Sequence, residues 1–417
     1  MDNSRTIRKN NRLVALIRSL ALFVLLTAVL AVSLPNFAQA QDWRFEPILS
    51  IGVETDDNAN LNIRTDQEIN STATLIDARA DINYTSPTTS FFVQPKVVIR
   101  NDNNDVTLDS DDYFLRSRFR RDGILNTFGF FADFDQQAVR TAEREDVDLG
   151  VEDPEEVPND STGLVFLEGD RNKWRIRPFW EYKLSNLSSI GAELDYREAQ
   201  YDSVFAGILS DYSNARLILD YTRALSDVTN GLILLSGRRY DADNALSEVN
   251  TYALAVEIEH RLSRKTQIKV AVGVEDVDQP NVESDPQFIY SARISRRLET
   301  IRMFAEYQRS PVGTGAGRIS MRDSLIMNLR RRLNEKISAG IGVRAYSEDR
   351  SGVSDSAGDR DYVQLRATLE WYLTEAFVIQ ADYRYTAINR GQDFGGRANS
   401  NRVNLWFRYQ PFSVPRL

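Results

Sequence analysis

The sequence predicts an all-β protein, a transmembrane antiparallel up-and-down β-barrel of about 18 strands, and three observations predict it. Apolar side chains recur at every second position over stretches that often run nine or more residues, as in Ile268, Val270, Val272 and Val274 against Lys269, Ala271, Gly273 and Glu275. Such a stretch has one greasy face and one mixed face. Paired stretches repeat from residue 249 to 412, each pair joined by a short turn that begins with Leu. The first 40 residues carry Arg5, Arg8, Lys9, Arg12 and Arg18, then an apolar run from Leu20 to Leu34, then Ala38-Gln39-Ala40. That is the charge, core and small-residue order of a secretory signal.

Phe45 to Val53 is the first strand. In the second, Ile76, Ala78, Ala80, Ile82 and Tyr84 alternate with Asp77, Arg79, Asp81 and Asn83. The third sets Phe91, Val93, Val97 and Ile99 against Gln94, Lys96 and Arg100, and the fourth sets Tyr113, Leu115, Ser117 and Phe119 against Arg116, Arg118 and Arg120. Phe128, Phe130, Ala132 and Phe134 oppose Asp133 and Asp135 in the fifth. After a long acidic stretch, a sixth strand is expected across residues 163 to 184, where Trp174, Ile176, Pro178, Trp180 and Tyr182 alternate with Arg175, Arg177, Phe179, Glu181 and Lys183. Twelve more follow, with turns starting at Leu184, Leu225, Leu262, Leu298, Leu333 and Leu373, at intervals of 41, 37, 36, 35 and 40 residues. Each interval fits two membrane strands, one tight turn and one longer loop. Two places resist the pattern: Leu232 to Leu235 is apolar at consecutive positions, and Asp323 falls in the phase of Met321, Leu325 and Met327.

An even tally puts both chain ends on one side, together with the short turns, which matches the periplasmic face of bacterial outer-membrane barrels. A soluble sandwich also alternates, but its strands average about five or six residues. Aromatics gather near strand ends, with Trp180, Tyr182, Tyr221, Trp371, Phe377, Phe407 and Tyr409 toward the turns and Tyr113, Tyr252, Phe288 and Tyr290 toward the loops. Two such belts suit the headgroup levels of a bilayer.

Composition narrows the function classes. Cleavage after Ala40 leaves residues 41–417 as one barrel domain with 46 basic and 59 acidic residues, a net charge of −13 against −9 for the whole chain. That balance argues against a nucleic-acid partner. Beyond the signal no apolar stretch reaches the length of a helical span, so membrane entry is expected through strands, with outer-membrane lipid and the barrel-assembly machinery as partners. There are no cysteines and one histidine, which removes disulfides and Cys/His zinc sites and implies no cofactor.

The candidate functional residues are charges on the inward phase. Asp77 and Asp81 lie on the second strand, Lys96 and Arg100 on the third, Arg116, Arg118 and Arg120 on the fourth, and Asp133 and Asp135 on the fifth. If strands pair in sequence order, a basic stripe flanked by acidic ones runs up the lumen wall, suited to orienting an anionic or sugar solute, since arginine forks grip carboxylates and phosphates. The alternative is that these charges neutralise one another and fill the barrel. Acidic runs at Glu54 to Asp57, Asp102 to Asp112 and Glu143 to Asp160 read as solvated loops, because Asp102-Asn103-Asn104-Asp105 lacks the glycine and glutamate of a helix-flanked calcium loop. His260 lies at a turn end, away from the loops that would present a substrate, so no catalytic base is assigned. Gly313, Gly315 and Gly317 mark a flexible hairpin tip, with no Lys-Ser/Thr behind them to make a phosphate loop.

Gly52-Val53-Glu54-Thr55-Asp56-Asp57-Asn58-Ala59-Asn60-Leu61, together with Trp180-Glu181-Tyr182-Lys183-Leu184-Ser185 and the Leu-led turns, resembles the family of outer-membrane β-barrel porins associated with exopolysaccharide loci. The resemblance implies a barrel serving polysaccharide export, with polysaccharide and export components as partners and no catalytic residues. Outer-membrane barrels commonly end on an aromatic residue, whereas here Phe407, Tyr409 and Phe412 are followed by Ser413 to Leu417. A lumen of 18 strands is too wide to be filled by wall side chains alone, so a polar pore for hydrophilic solutes is expected unless a loop plugs it. Residues 136 to 160, the longest unpatterned stretch, are the candidate plug. The alternatives are a general diffusion porin and a non-conducting structural barrel that binds partners through its loops.

Overall fold

Hydrocarbon offers no partner to a backbone N–H or C=O, so strands that cross it must pair with one another until no edge is left. The computed structural model does this with a closed ring. It describes residues 42–411 apart from 104–107, 145–160, 163–164, 166–168, 203–208, 244–247, 279–285, 350–359 and 391–395. The expected signal segment, and Phe412 to Leu417, lie outside the described residues.

Eighteen strands follow one another: β1 (Asp42–Asp56), β2 (Ser71–Thr85), β3 (Thr89–Asp102), β4 (Ser110–Asp122), β5 (Asn126–Ala138), β6 (Asp170–Ser185), β7 (Ser188–Tyr201), β8 (Tyr212–Ser226) and β9 (Thr229–Ala242) make one half. The other half is β10 (Val249–Ser263), β11 (Thr266–Asp278), β12 (Gln287–Arg297), β13 (Ile301–Thr314), β14 (Arg318–Arg332), β15 (Ile337–Asp349), β16 (Arg360–Tyr372), β17 (Phe377–Asn389) and β18 (Arg397–Tyr409). Each pairs antiparallel with its sequence neighbours, and β1 closes the ring by pairing with both β2 and β18. The expected 18-stranded up-and-down barrel is the observed fold.

The greasy phase points outward. Ile51, Val53, Leu254, Val256, Ile258, Val270, Val272 and Leu405 are each exposed over two fifths or more of their surface, which in water would make an aggregating patch and in a bilayer meets acyl chains. On β16 the band runs from Val363 to Trp371. Nine residues at ~3.3 Å each, tilted by about 45°, cover ~20 Å, close to the hydrocarbon thickness that such barrels present. At the turn end the band closes on aromatic pairs, with Phe377 and Phe407 stacked at 5.4 Å and Trp180 and Tyr182 at 6.1 Å.

The two ambiguous places resolve by register. Ile233 and Leu235 face lipid at 51% and 53% exposure, so Leu232 and Leu234 take the inner phase. Asp323 does sit on the outer phase, at the loop-side rim, where it accepts hydrogen bonds from the Tyr290 and Tyr307 hydroxyls at 3.2 Å and pairs with Arg309. Partnered at headgroup level, its charge never enters hydrocarbon. One boundary needs correction: β6 begins at Asp170 and not near residue 163. Thr162 is taken out of strand pairing because its N–H and hydroxyl both donate to a buried carboxylate, that of Glu143.

Candidate functional site

The inward phase lines a cavity of about 1240 Å³ that reaches from the short turns, at Arg264 and Lys265, to Ser110, Asp112 and Arg144 toward the loop side. Its charge is unlike that of the chain. Twenty-one of its lining side chains are basic and eight are acidic, a balance of +13 inside a protein whose formal charge is −9. Some of that charge is held in cross-strand pairs, such as Arg366 with Asp382 at 3.0 Å and Arg175 with Asp195 at 3.1 Å. Counted by the side chains that face the cavity, the wall is basic.

The nine predicted charges all belong to the inner phase, but they do not form one stripe. Lys96 pairs with Asp77 at 3.4 Å, Arg116 with Asp133 at 3.2 Å, and Asp81 accepts from the Gln94 amide at 2.8 Å. Asp135 reaches Arg171 at 3.0 Å. Arg100 is buried against Glu54, Ser71 and Asp102, which makes it a structural strut between β1, β2 and β3. Arg120 lies apart at the exposed turn-side rim, 3.0 Å from Asp122. Arg118 sits between two phenyl rings, 5.6 Å from the Phe92 centroid and 5.8 Å from that of Phe131. The alternation predicts which way each charge points; which partner it meets depends on cross-strand register, which alternation does not encode.

On the loop side the cavity meets chain that turns inward, at Thr141, Ala142, Arg144 and Ser161. After β5 a short helix, α1 (Val139–Ala142), carries the polypeptide off the wall. Arg144 then donates to Asp56 at 2.7 Å and to the carbonyls of Asn58 and Ala59 at 2.8 and 2.7 Å. Glu143, with no exposed surface, accepts from Arg171 at 3.3 Å, from the Tyr201 hydroxyl at 2.8 Å, and from the N–H and hydroxyl of Thr162 at 2.5 and 2.6 Å. The carbonyl of the next residue back, Ser161, accepts from Arg322 on β14 at 3.0 Å. Strand 14 lies eight places round the ring from β6, so this connection spans the lumen almost diametrically. Val165 completes the landing against Leu61, Tyr346, Tyr362, Ile388 and Ala398. Of the expected plug, residues 136–144 are therefore seen at or inside the barrel wall, and 145–160 lie outside the described residues.

Burial, and then the guanidiniums of Arg100, Arg402 and Arg144, push Arg140 on α1 down to about 9. Positive charge is thus concentrated where the connection enters the lumen, and burial likewise holds Arg144 below its ordinary value against the pull of Asp56.

The β13–β14 hairpin also folds inward. The Tyr240 hydroxyl donates to the Thr314 carbonyl at 2.6 Å, Arg238 to the Pro311 carbonyl at 2.6 Å, and the Ser210 N–H to the Gly315 carbonyl at 2.8 Å. Glycine is required by this approach: a Cβ at Gly313 would stand 2.4 Å from the Tyr240 ring and one at Gly315 2.3 Å from the Tyr201 hydroxyl. The tip is a hairpin, as the glycines predict, but a packed one.

His260 takes the outer phase at the turn end of β10, its Nδ1 2.9 Å from the Thr229 hydroxyl, remote from the lumen. The residues missed from sequence are Glu143, Arg144, Thr162 and Arg171. An acidic run containing Glu143 and Arg144 carries no periodicity that would place them inside.

Closed pairing, a lipid-facing belt with aromatic ends and a charged interior define an outer-membrane-type β-barrel. Solved structures similar to this chain include three bacterial proteins. Acinetobacter baumannii OccAB4 is 9% identical at a TM-score of 0.45, covering 90% of this chain and 99% of its own. Pseudomonas aeruginosa OccK5 is 9% identical at 0.44, covering 88% and 98%, and Pseudomonas aeruginosa OprD is 10% identical at 0.41, covering 88% and 94%. Similarity at this level assigns no substrate. No protein-family model and no curated protein matches the sequence, and nothing in these comparisons associates it with exopolysaccharide loci.

Proposed function

We propose that this protein is a porin-type channel that admits small hydrophilic solutes across the outer membrane and prefers anions. The observation that carries the reading is the +13 balance of the cavity wall. A low-dielectric wall focuses such a charge on the water inside, which raises the local concentration of anions and lowers that of cations. Diffusion of small solutes, the alternative read from sequence, is favoured over export of a polysaccharide. The β5–β6 connection and the β13–β14 tip stand across the path a polymer would thread.

Planar-bilayer recordings of the full-length processed protein under a KCl gradient test this. The reversal potential should report chloride more permeant than potassium, and Arg116→Ala and Arg175→Ala should each move it toward potassium. A cation-selective wild type would overturn the anion preference, and absence of any conductance would overturn the channel itself in favour of a structural barrel.

A further inference from the structure

The short turns share one hydrogen bond. In each, the residue just before the second strand offers its carbonyl to an N–H at the end of the strand after that, as Leu125 does to Lys183, Leu187 to Ala224 and Val228 to Arg261, all at 2.8 Å. The same bond, at 2.8 or 2.9 Å, makes Thr88, Lys265, Thr300, Lys336 and Ala376 equivalent to these three. Such positions ring the turn-side mouth. Alternation assigns them to the inner rim, since Leu125 has the parity of Asp133, Val228 that of Leu232 and Lys265 that of Lys269. Lys265 lines the cavity. The leucines that open the turns, such as Leu184, Leu225 and Leu262, have the opposite parity and meet lipid.

Large apolar side chains hold three adjacent places in this ring. Leu125, Leu187 and Val228 are 49%, 62% and 44% exposed, and Ile124 beside Leu125 is 93% exposed. The other places hold threonine, lysine or alanine. Inner-rim side chains at this end border water, where a contiguous apolar arc marks a surface made to be covered. The arc continues into a basic one. Residues 261–265, 296–302 and 330–336, at the next three turns, include ten basic and two acidic side chains, and Arg261, Arg264, Arg297 and Arg302 among them line the cavity. What covers the first arc therefore carries negative charge toward the second. The chain's own tail, Phe412 to Leu417, has no acid to offer. Anionic lipid headgroups would be met by the outer phase, and these positions are on the inner rim.

We propose that the turn-side mouth is a docking surface for a soluble periplasmic protein that presents an amphipathic helix, apolar on one face and acidic on the other. At ~4.8 Å between strands the apolar arc from β5 to β9 is ~19 Å long, the length of a helix of about 13 residues. The apolar face covers Ile124, Leu125, Leu187 and Val228, and the acids reach the basic turns. Because both arcs border the lumen, the docked helix lies across the inner mouth.

The test uses three synthetic peptides: a helix with leucines on one face and glutamates on the other, the same helix with lysines for glutamates, and a shuffled sequence of the first composition. Binding is read by fluorescence anisotropy on the full-length processed protein in phosphatidylcholine nanodiscs. The Leu/Glu helix should bind about tenfold tighter than the shuffled peptide, and the lysine version no better than to empty discs. Leu187→Ser and Lys265→Ser should each remove most of that preference, whereas Leu333→Ser, on the lipid-facing phase of a turn, should leave it intact. Circular dichroism checks that each variant keeps its barrel. Equal binding of the Leu/Glu and shuffled peptides, or a Leu187→Ser variant that behaves like Leu333→Ser, overturns the docking surface. If phosphatidylglycerol in the discs abolishes the preference and Leu187→Ser does not alter that loss, the arcs belong to lipid and the proposal falls. None of these readings involves current, so a failure here leaves the channel reading standing.

Discussion

Glu143 is the side chain on which the crossing of the lumen depends most. One carboxylate holds the start of the β5–β6 connection to the wall through Arg171 and Tyr201, and holds its later part through Thr162. Removing it takes one carboxylate from a guanidinium that is 5% exposed, with Asp135 still 3.0 Å away. Losing one partner of a buried charged hydrogen bond costs ~1.5–3 kcal/mol, and since Asp135 stays the lower end is expected. Glu143→Ala should therefore fold as a barrel yet show added current steps in single-channel recordings, as the connection leaves its seat for part of the time. Glu143→Gln keeps one acceptor oxygen, enough for Thr162 or for Tyr201 but not for both, and should fall between. Identical recordings for all three would show that Arg144 and the Ser161–Arg322 contact hold the connection unaided. Sequence could not reveal this role, because the partners of Glu143 are 19 to 58 residues away and its neighbourhood reads as a solvated acidic run. Lys96 and Asp77, by contrast, were legible as inward charges, since two-residue alternation fixes facing regardless of partner.

Elements were legible wherever two solvents flank them. Lipid on one side and wet lumen on the other impose period two, so eighteen strands and their turns stand out from sequence. Where chain leaves the wall, both faces meet protein and the periodicity disappears; β6 was accordingly extended too far at its start, up to the neighbour of Thr162, which bonds to Glu143. The β13–β14 tip shows the same limit. Its glycines mark a turn, but not that Tyr201 and Tyr240 close over it. Gly315→Val places a side chain within contact distance of Tyr201, and an exposed loop would absorb that at little cost. A seated tip cannot, so overpacking by ~1–3 kcal/mol should drive the hairpin outward. The expected result is a larger unitary conductance for Gly315→Val, and for Gly313→Val through its clash with the Tyr240 ring. Tyr240→Ala should relieve Gly313→Val and leave Gly315→Val unrelieved. A conductance unchanged by both valines would place the tip outside the conducting path.

At the scale of the molecule, the chain divides its charge by surface: a barrel that is acidic in sum keeps +13 on the cavity wall and apolar side chains on its exterior. That partition is stable only if the exterior meets hydrocarbon, and the cost of breaking it must depend on depth. Strand β10 supplies a ruler, because Asn250, Val256 and His260 share its outer phase from the loop-side rim, through the middle, to the turn end. Val256→Arg puts a guanidinium near mid-bilayer, which costs about 2–4 kcal/mol in membrane barrels, while the same residue near the interface costs about 0–1. Asn250→Arg and His260→Arg should therefore unfold in urea close to the parent midpoint when assayed in lipid vesicles, with Val256→Arg well below it. In a soluble barrel all three positions would be water-exposed and the substitutions would be alike within about 0.5 kcal/mol. A flat profile along β10 would thus remove the membrane from the account, and with it the channel, whereas a trough at Val256 would locate the hydrocarbon directly.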